Sequence, residues 1–177
     1  MVNYSEFPAQ LINFEVYDET GTRFLGVSTV DLSELKNKTY SLSGAGIAGE
    51  IEMPTIGFFE SITTTFNWHN ITEQGFMFLR QRSVDFIIYG AAELYDISDG
   101  QMRARQIKIE MRGLPKNMSL GSFKPAEGTE TKNEVEIIYI KISVGGTVIA
   151  EIDKFNYKCI INGVDYLAEV KTALNRN

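Results

Sequence analysis

Along most of this chain hydrophobic and polar residues alternate with a period of two, the pattern of half-buried β-strands. In SITTTFNW, residues 61–68, Ile62, Thr64, Phe66 and Trp68 fall on one face, with Ser61, Thr63, Thr65 and Asn67 on the other. In QIKIEMR, Ile107, Ile109 and Met111 oppose Lys108, Glu110 and Arg112. EVEIIYIKISV is different: Val135, Ile137 and Tyr139 share a face while Ile138, Ile140 and Ile142 occupy the opposite one. A strand apolar on both sides is expected to be central and covered twice.

Turn signals separate these runs. DETG (18–21) lies between LINFEVY and TRFLGVSTV, and SDG (98–100) between VDFIIYGAAELYDI and QMRARQIKIEMRG. Gly145-Gly146 lies between the two-sided strand and TVIAEIDKFNY. Glycines here accept the positive φ of tight hairpin turns, so three successive antiparallel hairpins are expected. Helical signal is scarce. TEQGFMFLRQR (72–82) is a short candidate capped by Thr72, with Phe76 and Leu79 facing inward and Gly75 weakening it. VDYLAEVKTALN places Val164, Leu167, Ala168 and Leu174 near one stripe, a short terminal helix opened by Asn162-Gly163. Two stretches show neither period: SLSGAGIAGEIEMPTIGFFE (41–60) and LPKNMSLGSFKPAEGTETKN (114–133). Loops this long are uncommon unless functional. The first holds Ile47, Ile51, Met53, Ile56, Phe58 and Phe59, too many apolar groups for a solvated loop, so a partner is expected to cover them. The whole reads as one mainly β domain, 1–177, with one or two short helices.

Composition narrows the function. The chain has 177 residues and a formal net charge of −6, with no Lys/Arg cluster of useful length. That disfavours tight nucleic-acid binding, which needs a basic face to release counterions. No run approaches the roughly 18 to 20 apolar residues of a membrane span, and MVNYSEFPAQ does not have the layout of a signal peptide. With one His and one Cys, no zinc-type cluster can form within a single chain. His69 reads as a turn histidine, and Cys159 as a small hydrophobe on a strand with no second group to make it a nucleophile. GAGIAG (44–49) resembles a phosphate loop, but no buried strand precedes it, no helix follows, and Glu50 and Glu52 would repel phosphate. Glu151 and Asp153 share a strand face, as carboxylates on solvated strands often do. No catalytic constellation emerges, and neither a cofactor nor a metal is expected.

Three segments together resemble the major tail tube protein family of contractile phage tails and related phage-tail-like bacteriocins. They are LINFEVYDETGTRFLGVSTVDLSELKNKTYSLSGAGIAGEIEMP, QIKIEMRGLPK, and EGTETKNEVEIIYIKISVGGTVIAEIDKFNYKCIINGVDYL, the last being the most specific. The resemblance spans nearly the whole chain. It implies two packed antiparallel sheets in a sandwich or barrel, a homo-oligomer of hexameric rings stacked into a hollow tube, and no enzyme activity. It also implies a sheath, baseplate and tape-measure proteins as partners, with DNA passing but not tightly held. The protein would reside in a virion or phage-tail-like particle after synthesis in the bacterial cytoplasm, without a membrane anchor. The expected subunit interface comprises Ser43, Gly44, Ala45, Gly46, Ile47, Glu50, Ile51, Met53, Ile56 and Phe58, with Glu151 and Asp153. Two other readings remain: a tube subunit of a type six-like secretion machine, and a small β-barrel binding an apolar ligand.

Overall fold

The computed structural model describes residues 5–176. Eleven strands account for most of them: β1 Glu6–Asp18, β2 Val27–Leu32, β3 Asn37–Leu42, β4 Ile51–Phe59, β5 Thr63–Trp68 and β6 Val84–Asp96. They continue with β7 Gln101–Ser119, β8 Thr131–Val144, β9 Thr147–Asp153, β10 Lys158–Ile161 and β11 Val164–Asp165. A 3-10 helix, Gly75–Leu79, and one α-helix, α1 Ala168–Ala173, complete the set. Every strand pairing is antiparallel. The main sheet has nine strands in the order β1-β6-β7-β8-β9-β10-β11, with β5 added to β8 and β2 to β5; β3 and β4 form a separate two-stranded sheet. The mainly β, antiparallel reading holds, but the main sheet does not close into a barrel.

The two-sided apolar strand resolves into a one-sided one with a bulge. Arg112 is opposite Tyr139 but Gly113 is opposite Ile137, so Ile138 is an extra residue in β8. A bulge reverses the side-chain alternation beyond it. Val135 and Ile137 before it, and Ile140 after it, are therefore all buried in the same core. The Ile138 carbonyl, left out of the ladder, accepts the Lys154 backbone N–H at 3.0 Å. Gly113 is required at this crossing, since a Cβ there would lie 2.4 Å from Val135 Cγ1 and 2.8 Å from the Glu136 carbonyl oxygen. On its side away from β7, β8 pairs with β5 along 131–136 and with β9 along 139–144. The sheet thus splits at the bulge, and β2–β5 becomes a second layer.

The core lies between that layer and the main sheet. Phe66 stacks on Phe78 with centroids 4.6 Å apart and meets Phe86 edge-on at 5.0 Å, while Phe24 packs on Trp68 at 5.9 Å. Trp68 donates its indole N–H to Asn133 Oδ1 at 2.9 Å, which satisfies a group that could not be buried alone.

Several local expectations change. SDG and Gly145-Gly146 do join hairpins, β6–β7 and β8–β9. DETG does not: β1 pairs with β6 and β2 with β5, leaving only a Tyr17–Arg23 bridge across that turn. The Asp18 carboxylate takes up the turn by accepting the N–H groups of Thr20 and Thr22, so the chain changes layers there. In the 3-10 helix Phe78 is buried while Phe76 and Leu79 are exposed, the reverse of the expected inward face. A three-residue turn aligns Gly75 with Phe78, and both are buried. Thr72 still acts at its start, its Oγ1 accepting the Gly75 N–H at 3.1 Å. The segment 114–133 shortens from both ends, because β7 runs to Ser119 and β8 starts at Thr131. TVIAEIDKFNY does not run on into Cys159 as one strand: the chain turns back as the hairpin β9–β10, and Asn162-Gly163 turns it into β11 before α1. Leu167 is buried at the start of α1, whereas Val164 and Leu174 are exposed.

The β6–β7 turn carries a strong electrostatic lock. Asp96 accepts the Ser98 hydroxyl at 2.5 Å and the Ser98 N–H at 2.9 Å, and pairs with Arg103. The Ser98 hydroxyl and N–H, helped by Arg103 and opposed by partial burial, bring its carboxyl down to about 2 from an ordinary 3.8. A carboxyl depressed on folding stabilises the native state above its unfolded pKa, and that contribution is lost as pH falls toward the folded value. Asp96→Asn should therefore lower the urea midpoint at pH 7 and give a shallower loss of stability between about pH 4 and about pH 2. Phe78→Ala removes the ring on which Phe66 stacks and should cost about 3–5 kcal/mol in urea unfolding at pH 7.

Candidate assembly surface

β3 and β4 project as an arm. Their register pairs Tyr40 with Met53 and Leu42 with Ile51, so these four side chains share one face. All four are exposed, as is every residue of β3. Ser41 and Glu52 pair on the opposite face, and the Ser41 hydroxyl donates to the Glu50 carboxylate. The stretch expected to be an unstructured loop, 41–60, is thus mostly the outgoing half of a hairpin. Its irregular tip spans 43–50, and Gly44, Gly46 and Gly49 have open space where side chains would begin.

The base of the arm is fixed. A Cβ on Gly57, whose φ is +67°, would lie 2.5 Å from Leu167 Cγ, so glycine is needed where β4 crosses the start of α1. Phe58 meets Tyr157 edge-on at 6.3 Å. Lys154 Nζ donates to the Glu60 carbonyl oxygen at 3.0 Å, and Lys36 pairs with the Glu60 carboxylate at 3.1 Å. A shift of register near Thr39 and Pro54 reverses the alternation below it, which turns Ile56 and Phe58 outward.

The side of the main sheet facing away from the core is polar and ordered in cross-strand rows. One row reads Asp85, Arg112, Tyr139, Asp153, Lys158, and the next carries Glu110, Lys141 and Glu151. Signs alternate along both. Arg112 holds Asp85 at 2.7 Å, Lys108 and Lys141 hold Glu110 at 2.8 and 3.7 Å, and Lys158 holds Glu151 at 2.8 Å. Further along, Arg23 pairs with Glu15 at 2.6 Å. The Glu110 contact keeps the Lys108 ammonium above its ordinary pKa. Burial pushes the Glu151 carboxyl up, but its bonds from Lys158 and Tyr139 outweigh burial and hold it low. Tyr139 in turn is pushed up to about 12 by burial and by Glu151. A shallow hollow of about 460 Å³ lies on this side, walled by Glu15, Tyr89, Ala91, Ala104 and Gln106.

On the core side, an apolar cleft of about 270 Å³ opens where β2 stops short of covering the sheet. Val30 and Leu32 form one wall, and Phe14, Ile88 and Ile109 the other, with Leu11 at the mouth.

The structure groups the expected interface residues unevenly. Ser43, Gly44, Ala45, Gly46, Ile47 and Glu50 form the arm tip, Ile51 and Met53 its apolar face, and Ile56 and Phe58 its base. Glu151 and Asp153 stand apart, across the sheet. Glu151 belongs to the charged rows, and Asp153 closes the β9–β10 turn by accepting the N–H groups of Phe155 and Asn156 at 3.1 and 2.9 Å. Sequence reading passed over the cleft and the charged rows, because both depend on strand register. The arm had a visible trace: Tyr40 and Leu42, like Ile51 and Met53, are spaced by two.

The residues weighed for chemistry are scattered over the fold. GAGIAG sits on the arm tip, remote from any helix start. Cys159 is buried, and burial together with Asp165 pushes its thiol up, away from a reactive thiolate. His69 is exposed in the turn after β5. Among the described residues no group of three His, Cys, Asp or Glu side chains is placed to hold a metal ion, and no helix is long and apolar enough to cross a membrane.

Comparison with known proteins bears on this arrangement. The tail tube protein of Escherichia phage P2 is 35% identical over 63 residues, 36% of this chain and 37% of that protein, so the matched stretch spans well under half of that relative. The sheath/tube terminator of an extracellular contractile injection system, PVC, in its extended state is similar with a TM-score of 0.52 at 12% identity. That match covers 81% of this chain and 99% of the other, a likeness of fold. The PVC sheath–tube complex in the extended state gives a TM-score of 0.49 at 15% identity, over 81% of this chain and 93% of the other. A family model for the phage tail tube protein FII matches residues 8–174, from β1 through α1 and including the whole arm, and the chain belongs to that family.

Proposed function

We propose that this protein is the structural subunit of the inner tube of a contractile tail, built by self-assembly of six-membered rings that stack inside a sheath. The observation that carries this reading is the arm, an amphipathic hairpin whose apolar face is exposed in the isolated chain although its base is fixed. A two-stranded hairpin is at best marginally stable alone, and an exposed apolar face of this kind marks a surface meant for a partner. Membership of the phage tail tube family favours this kind of assembly. The partners of this reading are further copies of the chain, the sheath, and baseplate and tape-measure proteins. Its setting is a virion or tail-like particle, and its work is mechanical, without a catalytic residue.

The charged rows suit the wall of a conduit. A polyanion is held by basic surfaces because bound phosphates release counterions. On this side of the sheet Arg23, Lys108, Arg112, Lys141 and Lys158 already face carboxylates, so a passing phosphate would have to displace an ion pair there and would gain little. The hollow at Ala91 and Ala104 makes the same side locally concave, as an inner wall would be.

Electron microscopy of concentrated protein should show rings or tubes with an open centre. A species that stays monomeric even with a baseplate initiator would overturn the reading. Ile47→Asp at the arm tip should leave the melting temperature within a few degrees of wild type but block tube growth. Glu15→Gln combined with Glu110→Gln leaves Arg23 and Lys108 without their carboxylates and Lys141 with Glu151 alone. Tubes of that variant should retain short DNA in sedimentation at low salt and release it as salt rises, whereas wild-type tubes should not. Equal retention by both would remove the charged rows from the wall.

A further inference from the structure

An asparagine followed by glycine is the pair most prone to lose its side-chain amide, because glycine has no side chain to shield the backbone nitrogen that attacks. The chain contains one such pair, Asn162-Gly163. It forms the whole turn between β10 and β11, across which Ile161 pairs with Val164. Both residues have positive φ, 49° and 84°, as the two-residue I′ turn favoured by Asn-Gly requires.

The pair is open to reaction. Asn162, Gly163 and Val164 are all exposed, and a Cβ on Gly163 would meet nothing within 4 Å. The Asn162 N–H is held by the Ile149 carbonyl at 2.8 Å. Neither the Asn162 side-chain amide nor the Gly163 N–H has a hydrogen-bond partner among the described residues. Ring closure between them needs rotation about the Asn162 Cα–C bond. The ladder that resists this rotation is short, because β11 has two residues and stands last in the sheet. Such terminal segments open at little cost.

Asp99-Gly100, in the β6–β7 turn, provides a contrast within the same chain. An Asp-Gly pair can close the same ring, but the Gly100 N–H donates to the Asp96 carbonyl at 2.8 Å. The Asp99 carboxylate accepts the Gln101 N–H and pairs with Arg103. Both reacting groups are tied down in that turn, and neither is tied at Asn162-Gly163.

We propose that Asn162 is a site of spontaneous deamidation, and that its isoaspartyl product loosens the seat of the arm. The Gly163 nitrogen gives its proton to water or hydroxide, bonds to Asn162 Cγ and expels the amide as ammonia, which leaves a five-membered succinimide. Water then opens the ring. Attack at Cγ gives aspartate, and attack at the main-chain carbonyl gives isoaspartate, in which the side-chain methylene joins the backbone. A two-residue turn cannot take the extra backbone atom and keep the pairs Ile161–Val164 and Ile160–Asp165. Those pairs lead the chain to Leu167, buried where Gly57 crosses the start of α1. One amide lost at the sheet edge thus reaches the arm base. The effect belongs to the folded chain, whatever the arm binds.

The test holds folded protein in mildly alkaline buffer beside synthetic peptide 159–171, which trypsin also releases from the protein because Lys158 and Lys171 bound it. In the folded protein this segment should gain the mass of an amide-to-acid exchange, at a rate that rises with hydroxide concentration. It should also accept a labelled methyl group from S-adenosylmethionine through protein-isoaspartate methyltransferase. Asn162→Gly, which accepts positive φ without carrying the amide, should do neither. Complete conversion of the free peptide while the folded protein stays unmodified would overturn the site. In converted protein, amides of 57–60 and 160–167 should exchange about tenfold faster or more, as a locally opened segment does. Freshly made Asn162→Asp adds the charge without the extra backbone atom and should keep its protection. Isoaspartyl protein as well protected at 57–60 as Asn162→Asp would overturn the link from the turn to the arm.

Discussion

One strand, β8, is bonded to three others, and it can serve them all because of the extra residue at Ile138. Along one side it follows β7 for almost its whole length. Along the other it must release β5 and take up β9, which belong to different layers. The bulge supplies the bend, and the Lys154 N–H satisfies the carbonyl that the bend frees. Gly113 lets the two backbones stay close at that point. Everything else of consequence lies on one side or the other of this split. The aromatic core fills the angle between β5 and the main sheet, the cleft is left where β2 ends, and the arm base settles on β9 and β10.

The two sides of the main sheet have opposite uses for polarity. On the core side, apolar residues run beyond the area that β2 and β5 cover, which leaves Leu11 and Leu32 exposed at the cleft. On the other side charges of opposite sign pair across the strands. Isolated surface ion pairs add little stability, typically under about 1 kcal/mol. Their arrangement in alternating rows is therefore better understood as a control of what the surface attracts. Lysines and arginines that already face carboxylates present weak targets to a polyanion, and the carboxylates present weak repulsion. A net charge of −6 for the chain is thus compatible with a nearly balanced wall on this side.

Much of the fold was legible in the amino-acid sequence, and the losses share a cause. β5 showed its faces because its alternation is uninterrupted, and the β6–β7 and β8–β9 hairpins because their turns are short and rich in glycine or aspartate. Where a strand contains a bulge, period two fails in the middle. EVEIIYIKISV then looks apolar on two sides, when it presents one apolar side twice. The same effect hid the arm: a register shift near Pro54 and a tip of small residues broke the pattern of 41–60 into an apparent loop. DETG has the composition of a hairpin turn, but the pairing of β1 with β6 and of β2 with β5 outweighs the local preference. The charged rows were out of reach for a simpler reason. Glu110, Lys141 and Glu151 are neighbours only across strands, and nothing in their sequence spacing says so.

If the chain is a self-assembling subunit, as proposed, the modest character of the arm follows from what such a subunit must avoid. A hairpin with a larger apolar face would bind other copies strongly in solution and in any order, and exposed strands of that kind aggregate. This arm offers four apolar side chains, a polar reverse face with Ser41 and Glu52, and a tip in which Ile47 is the one large apolar residue. A contact of that size between two free subunits is weak. It becomes effective only when a neighbour is already positioned, because linked contacts then act at high effective concentration. On the tube reading, a ring whose members are each held on two sides, and which sits on a ring below, would turn several weak contacts into one stable structure. On that reading growth would depend on an existing end, and free subunits would remain apart until they met one.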